Sequence, residues 1–280
     1  MKTYKEFQIR TNPFLPEIVT GVLWELNISG LMEEENFLKV FVNEDDISKS
    51  VIKKLLGKLM EEQLITDFSV EEKRLENRNW NEEWEKNLNV IRVTDKIVIK
   101  PSYKEYKPLK SEIVITIDPK MSFGTGEHQT TKLMLKLIEK HLKQGMKILD
   151  VGSGTAVLSI AAIKLGAELA IAIDDDELCL VYGNENCRIN SIENKIDIRT
   201  GEIKDIEEKD FDLVFANIQK NVLIEIADQI KYRLKEDGLV FLSGLLDGDE
   251  RDIVKHYTKI EFQLIDKLQL DEWIAVAFRN

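Results

Sequence analysis

The chain has 280 residues and a mass of 32.4 kDa, which at about 150 residues per domain predicts two domains. Its 43% hydrophobic and 32% charged residues exclude a disordered chain, because disorder needs low hydrophobicity together with high net charge. A formal charge of −12 removes the positive field that unspecific nucleic-acid binding requires and suits a basic protein or a cationic small molecule as partner.

In chain order, the N-terminal residues carry Lys2, Lys5 and Glu6 with no apolar run behind them, so no signal peptide is expected. Tyr4–Arg10 alternates like a strand. Pro16–Leu26 has helical spacing, with Pro16 suited to a first turn. Ile28–Glu33 and Phe37–Val42 read as strands around a polar turn. Ile47–Leu64 reads as an amphipathic helix with Val51, Leu55, Leu59 and Leu64 on its apolar side, and Ile65–Val70 closes the set as a strand. The order βαββαβ is the ferredoxin-like pattern, so residues 1–70 are expected to form an α+β domain. Residues 71–110 read as a linker: a charged helix in which Trp80 and Trp84 share a face, then a hairpin of Val90–Val93 and Lys96–Lys100 around Thr94-Asp95. Glu112–Ile117 is a further strand and opens the last domain, residues 111–280.

Beyond about residue 130 the pattern becomes strand–helix alternation. Strands are predicted at Lys147–Val151, Leu169–Ile173, Ile196–Thr200, Phe211–Ala216 and Leu239–Ser243. Helices are predicted at Leu133–Leu142, Val157–Leu165, Asp176–Asn190, Asn221–Leu234 and Asp247–Tyr257, with Phe262–Leu268 and Trp273–Phe278 as a closing pair. Such alternation marks an α/β fold with a mostly parallel sheet. The longest uncharged stretch, Val151–Ile163, is too short for the ~20 residues of a membrane helix. Cys179 and Cys187 lie eight apart on one predicted helix, roughly 12 Å along its axis, too far for a disulfide and without metal-ligand spacing. A reducing cytoplasm and no bound metal are therefore expected.

Four features carry chemistry. Asp150-Val151-Gly152-Ser153-Gly154-Thr155-Ala156 runs from an apolar strand through a glycine turn into a helix, which brings backbone and unpaired N–H groups close to a ligand. A dinucleotide fingerprint needs a third glycine where Val157 stands, so Asp150 ahead of the glycines favours a methyl-donor loop. Asp174, at the end of the next strand, is placed to accept two hydrogen bonds from a ribose, whereas Asp176 suits a helix cap. Asn217 ends a buried strand at the carboxyl edge of the sheet, where open α/β sheets bind ligands. The loop Phe123-Gly124-Thr125-Gly126-Glu127-His128-Gln129-Thr130-Thr131 concentrates small and polar groups ahead of a helix, where Thr130 or Thr131 taken alone would be an N-cap. Each also has a plain structural reading, as a turn, a cap or a packed histidine.

Together these residues resemble the bacterial methyltransferases of large-subunit ribosomal protein eleven, the PrmA-like family. Its F-G-T-G-T-H-P-T-T stands here as Phe123–Thr131, its D-V-G-C-G-S-G-I-L as Asp150–Leu158, and its D-I-D-P as Asp174–Glu177 followed by Asn186 and Asn190. Its V-A-N-I stands as Phe215–Ile218, and its W-x-x-x-W linker as Trp80 and Trp84 ahead of Ile99-Lys100-Pro101. The resemblance implies a class I methyltransferase, Rossmann-like, whose mostly parallel seven-stranded sheet has one antiparallel strand, behind a ferredoxin-like substrate-recognition domain. It implies S-adenosylmethionine as cofactor and N-methylation of lysine or other amino groups of that ribosomal protein. Cofactor contacts carry over to Thr131, Gly152, Asp174 and Asn217, with Phe123, Gly124, Thr125, Asp150 and Gly154 beside them. No catalytic residue is assigned beyond the candidates His128 and Asn217. A cytoplasmic monomer is expected, with no membrane and no direct nucleic-acid contact.

A lysine amine is neutral in only about 0.04% of molecules at pH 7, which makes presenting it cost about 4.6 kcal/mol. Desolvation and a nearby cation lower that cost, and proximity supplies up to ~7–11 kcal/mol, so no dedicated base is required. Ile218-Gln219 follow Asn217 where enzymes acting on planar nitrogens carry two prolines, which favours an sp³ amine. Three alternatives stay open: a lysine methyltransferase of another protein, a non-catalytic donor-binding module suggested by Ala156 in place of a glycine, and a nicotinamide dehydrogenase, which Val157 disfavours.

Overall fold

A computed structural model describes residues 4–23, 26, 28, 30–34, 36–43, 47–75, 89–118 and 124–280. The chain divides into two compact units, residues 1–83 and 84–280. The predicted linker helix with Trp80 and Trp84 lies outside the described residues.

In the first unit, Tyr4–Asn12 (β1), Pro16–Leu23 (α1), Gly30–Glu34 (β2), Phe37–Asn43 (β3), Lys49–Glu61 (α2) and Asp67–Leu75 (β4) follow one another in the expected order. They form a sheet ordered β2-β3-β1-β4 in which every pairing is antiparallel. Alternation sends Phe7, Ile9, Leu38, Val40 and Val42 into one core with Val19, Leu23, Ile52 and Leu56 from the helices. Two expectations need correction. Leu59 is buried and Leu55 packs against the core as expected, but Ile52 and Leu56 form the buried centre of the α2 face, while Val51 and Leu64 are 42% and 39% exposed. Ile52 lies one position from Val51, about 100° of rotation, and packing against the sheet selects it. Strand β4 also runs to Leu75, past the boundary suggested at residue 70, because its ladder with β1 continues to the pair Tyr4–Leu75.

In the second unit, Ile91–Arg92 (β5), Ile97–Lys100 (β6) and Ile113–Thr116 (β7) make a small sheet in which β6 pairs in parallel with β7. The hairpin thus belongs with this unit, and Ile97, Ile99 and Ile115 join its core. The remaining elements are Gln129–His141 (α3), Lys147–Val151 (β8), Val157–Lys164 (α4), Leu169–Asp174 (β9), Glu177–Ile189 (α5), Ile196–Thr200 (β10) and Phe211–Asn217 (β11). After them come Lys220–Glu225 (α6), Ala227–Arg233 (α7), Leu234–Leu246 (β12), Glu250–Lys259 (α8), Gln263–Leu270 (β13) and Trp273–Arg279 (β14). The single helix expected over 221–234 is broken at Ile226, whose ψ of 2° leaves the helical range, giving α6 and α7.

Seven strands form the main sheet in the order β10-β9-β8-β11-β12-β14-β13, parallel except for β14, which is antiparallel to both neighbours. This is the class I methyltransferase fold, a Rossmann-like α/β sheet with one reversed strand. Side-chain alternation divides the interior in two. Ile148, Phe215, Phe241 and Ala277 face a core shared with α3 and α4, and Leu149, Val214, Val240 and Phe278 face a core shared with α7 and α8. Strand order reverses between β8 and β11, and that reversal opens a crevice at the carboxyl ends of the strands. Among the described residues no helix is long and apolar enough to cross a membrane.

Candidate active site

The crevice begins where β8 ends. The N–H groups of Gly152 and Ser153 both donate to the Ile173 carbonyl at 2.8 and 3.1 Å, which lays the glycine turn against the end of β9. Gly152 takes φ +73°, and a Cβ there would overlap the Ile218 side chain, so a glycine is needed for turn and close approach alike. From β9, Asp174 accepts the Gly154 N–H at 2.9 Å on one oxygen and the Asp176 N–H at 3.1 Å on the other. A carboxylate offers about four acceptor positions, so Asp174 keeps capacity for hydroxyl donors. Asp176 caps α5 by accepting the Leu178 N–H at 2.9 Å, as its position suggested.

Gly152 and Asp174 line one cavity of about 440 Å³ together with Val151, Ile203, Ile218 and Val222. That size suits a nucleoside-like molecule. A hollow of about 530 Å³ at the opposite edge, around Lys147, Asn194 and Lys209, has no glycine among its lining residues.

Asn217 follows the register pair Val151–Ala216 and so sits beside the glycine turn. Its Oδ1 is buried and without a hydrogen-bond partner, as are Thr131 Oγ1, Ser153 Oγ and Asp150 Oδ1. Buried polar atoms are normally satisfied; these four lie on the turn, the adjoining strand ends and the first turn of α3, and none belongs to a residue lining the cavity, while Glu139 Oε2 and Gln229 Oε1 are unpaired elsewhere among the described residues. Within the cavity, the free acceptor capacity of Asp174 fits the ribose of S-adenosylmethionine, and no group of three or more metal-binding side chains occurs among the described residues.

Other predicted residues sit elsewhere. His128 is the N-cap of α3: its Nδ1 accepts the Thr130 N–H at 3.3 Å, and its ring stands edge-on to Trp273 with centroids 4.8 Å apart. The cap is thus His128, not Thr130 or Thr131, and neither His128 nor Thr131 lines the cavity. The Gly124 carbonyl accepts the Thr155 hydroxyl at 2.7 Å, and Thr125 Oγ1 accepts the Glu127 N–H at 3.4 Å. Phe123 lies outside the described residues. Sequence reasoning missed Thr155, Ser153 and Gly244. An isolated glycine within a strand is a bulge signal, and Gly244 does sit where the β12–β14 register shifts.

Asp150 is fully buried beneath the turn, accepting the Ser159 hydroxyl at 2.7 Å on Oδ2. Burial pushes its carboxyl up to about 7; the Ser159 hydrogen bond opposes this, and the nearby Asp174 charge adds to it. A carboxyl raised in the folded state stabilises the fold at low pH, and that contribution is lost as pH rises from about 4 through 7. Asp150→Asn should therefore flatten the pH dependence and raise stability at pH 8 by up to about 4 kcal/mol, read as urea midpoints at pH 5 and pH 8.

Ala156, where a donor loop carries its last glycine, has φ 63° and ψ 20° and is fully buried. The left-handed conformation costs an alanine roughly 1 kcal/mol or more. Ala156→Gly should raise stability by about 1 kcal/mol in denaturant titration with the turn unchanged; a loss would show that methyl packing outweighs backbone strain.

Comparison with known proteins agrees with this geometry. A family model described as ribosomal protein L11 methyltransferase (PrmA) matches residues 19–280. The chain is 35% identical over 205 residues to the ribosomal protein L11 methyltransferase of Acetivibrio thermocellus, covering 73% of this chain and 65% of that one. It is 37% identical over 207 residues to the protein of the same description from Ruminiclostridium cellulolyticum, covering 73% and 66%. These two matches span just under two thirds of the relatives' length. The counterpart from Caldanaerobacter subterraneus subsp. tengcongensis is 31% identical over 305 residues, covering 98% of each chain. The crystal structure of a ribosomal protein L11 methylase from Lactobacillus delbrueckii subsp. bulgaricus superposes with a TM-score of 0.65 at 32% identity, covering 68% of this chain and 98% of that one.

Proposed function

The chain belongs to the ribosomal protein L11 methyltransferase family, and from that premise we propose that it transfers methyl groups from S-adenosylmethionine to amino groups of ribosomal protein L11. The observation that carries this reading is the 440 Å³ cavity at the strand-order reversal, where Gly152 and Asp174 meet beside the unsatisfied Asn217 Oδ1. When bound, S-adenosylmethionine supplies an electrophilic methyl group on a cationic sulfur.

The chain's own residues bind and orient. Asp174 would hold the ribose hydroxyls, and the backbone of the turn at Gly152 and Gly154 would lie against the nucleoside and its amino acid arm. Asn217, next to the cavity-lining Ile218, would offer its buried oxygen to that arm or to the incoming amine, and Thr131, outside the cavity lining, would act from the first turn of α3. No side chain is required as a base, since desolvation beside a cation makes the free amine accessible. His128 serves the reaction through α3, whose first turn it caps and which carries Thr131.

Recognition of the protein substrate falls to the N-terminal unit, which has a complete core of its own. On the sheet face opposite that core Glu6 and Gln8 are buried and Lys39 is half-buried and paired with Glu34. The test is transfer of labelled methyl from S-adenosylmethionine to purified ribosomal protein L11, with other ribosomal proteins alongside. Labelling of L11 alone is expected. Label on a different protein would redirect the substrate, and donor binding without label would leave the non-catalytic module that the strained Ala156 favours.

A further inference from the structure

We propose that Asn186 and Thr155 are positioning residues for methyl transfer, joined in one hydrogen-bonded bridge that sets the glycine turn against the segments at Asp118 and Gly124. The proposal rests on the catalytic reading above. Asn186 sits on α5 and is only 1% exposed. Its Nδ2 donates to the Thr155 carbonyl at 3.1 Å, and its Oδ1 accepts the Asp118 N–H at 3.1 Å. Thr155, fully buried, sends its hydroxyl the other way, to the Gly124 carbonyl at 2.7 Å. Asp118 and Gly124 are thus both tied to one pair of side chains, and that pair is continuous with the donor loop.

The bridge extends outward. Asp118 Oδ1 accepts the Ser102 N–H at 2.7 Å, and Lys100 Nζ donates to the carbonyls of Pro101 at 3.0 Å and Lys104 at 2.9 Å. Asn190, one turn along α5, exchanges bonds with the Thr116 backbone, accepting at 3.0 Å and donating at 2.6 Å as a neighbouring strand would, and its Nδ2 also donates to the Asn186 carbonyl at 2.8 Å.

Truncating Asn186 strands the Asp118 N–H and the Thr155 carbonyl and so lowers stability, while misplacing reacting groups by about 1 Å costs about 100-fold in rate. Loss of the bridge should therefore appear in kcat. Kinetics with S-adenosylmethionine and purified ribosomal protein L11 would be measured for Asn186→Ala, Thr155→Val, Thr155→Ser and the double variant Asn186→Ala/Thr155→Val. Calorimetric donor affinity and circular dichroism accompany each. Expected are kcat losses of about 10–100-fold in Asn186→Ala and Thr155→Val with donor Kd unchanged, near-normal kcat in Thr155→Ser, and a double variant no worse than the worse single one. Wild-type kcat in both single variants, equal losses of kcat and donor affinity, or multiplied losses in the double variant would overturn it. If Asn186→Ala does not fold, the contrast between Thr155→Val and Thr155→Ser decides. Failure of the wild type to methylate is a separate result, which bears on the catalytic reading alone.

Discussion

Replacing Asp174 with alanine is expected to weaken S-adenosylmethionine binding about 100-fold, roughly 2.7 kcal/mol, with the fold retained. Two charge-assisted hydrogen bonds to ribose hydroxyls are worth at least that much together. The side chain also accepts the Gly154 and Asp176 N–H groups, so alanine loosens the turn as well as removing the acceptor. Asp174→Asn separates these effects by keeping an oxygen in place, and about a tenfold loss is expected there. Isothermal titration of each variant checks the pair. Unchanged affinity in Asp174→Ala would remove the ribose assignment.

The second large effect lies outside every sequence motif. Gly244 has φ +81°, and a Cβ there would overlap the Ile218 carbonyl oxygen and approach the Ile218 carbonyl carbon at 2.8 Å. That neighbour is backbone and cannot rotate away. Gly244→Ala should destabilise the protein by about 3 kcal/mol through strain and overpacking combined, read as a fall in the urea midpoint. Donor affinity should fall with it, because Ile218 lines the cavity and follows Asn217. Gly248→Ala is the control: a Cβ there meets nothing within 4 Å, and stability should stay within about 0.5 kcal/mol of the original.

The architecture was legible because β8, β9 and β11 are short apolar runs each followed by a helix, and because a glycine turn after β8 has few other uses. That Gly152, Asp174 and Asn217 share one sheet edge was legible for the same reason, since the ends of parallel strands converge there whatever the loops do. What the sequence hid was contact across long separations. Thr155 meets Gly124, and Asn186 meets Thr155, over 31 residues in each case, through bonds from side chain to backbone that leave no local periodicity. Backbone sign was also hidden: nothing in the letters distinguishes an alanine already in the helix from Ala156 in the left-handed region. On α2 the periodicity placed Val51 inward, and only the position of the sheet turned Ile52 and Leu56 to the core instead.

The placement of β14 has a consequence for how the polypeptide is made. It lies between β12 and β13 in the sheet yet follows both in the chain. A nascent polypeptide that has emerged only as far as β13 therefore exposes two open ladders, which invite pairing with other chains. The strand that separates them follows both, so this sheet is completed only once β14 has emerged.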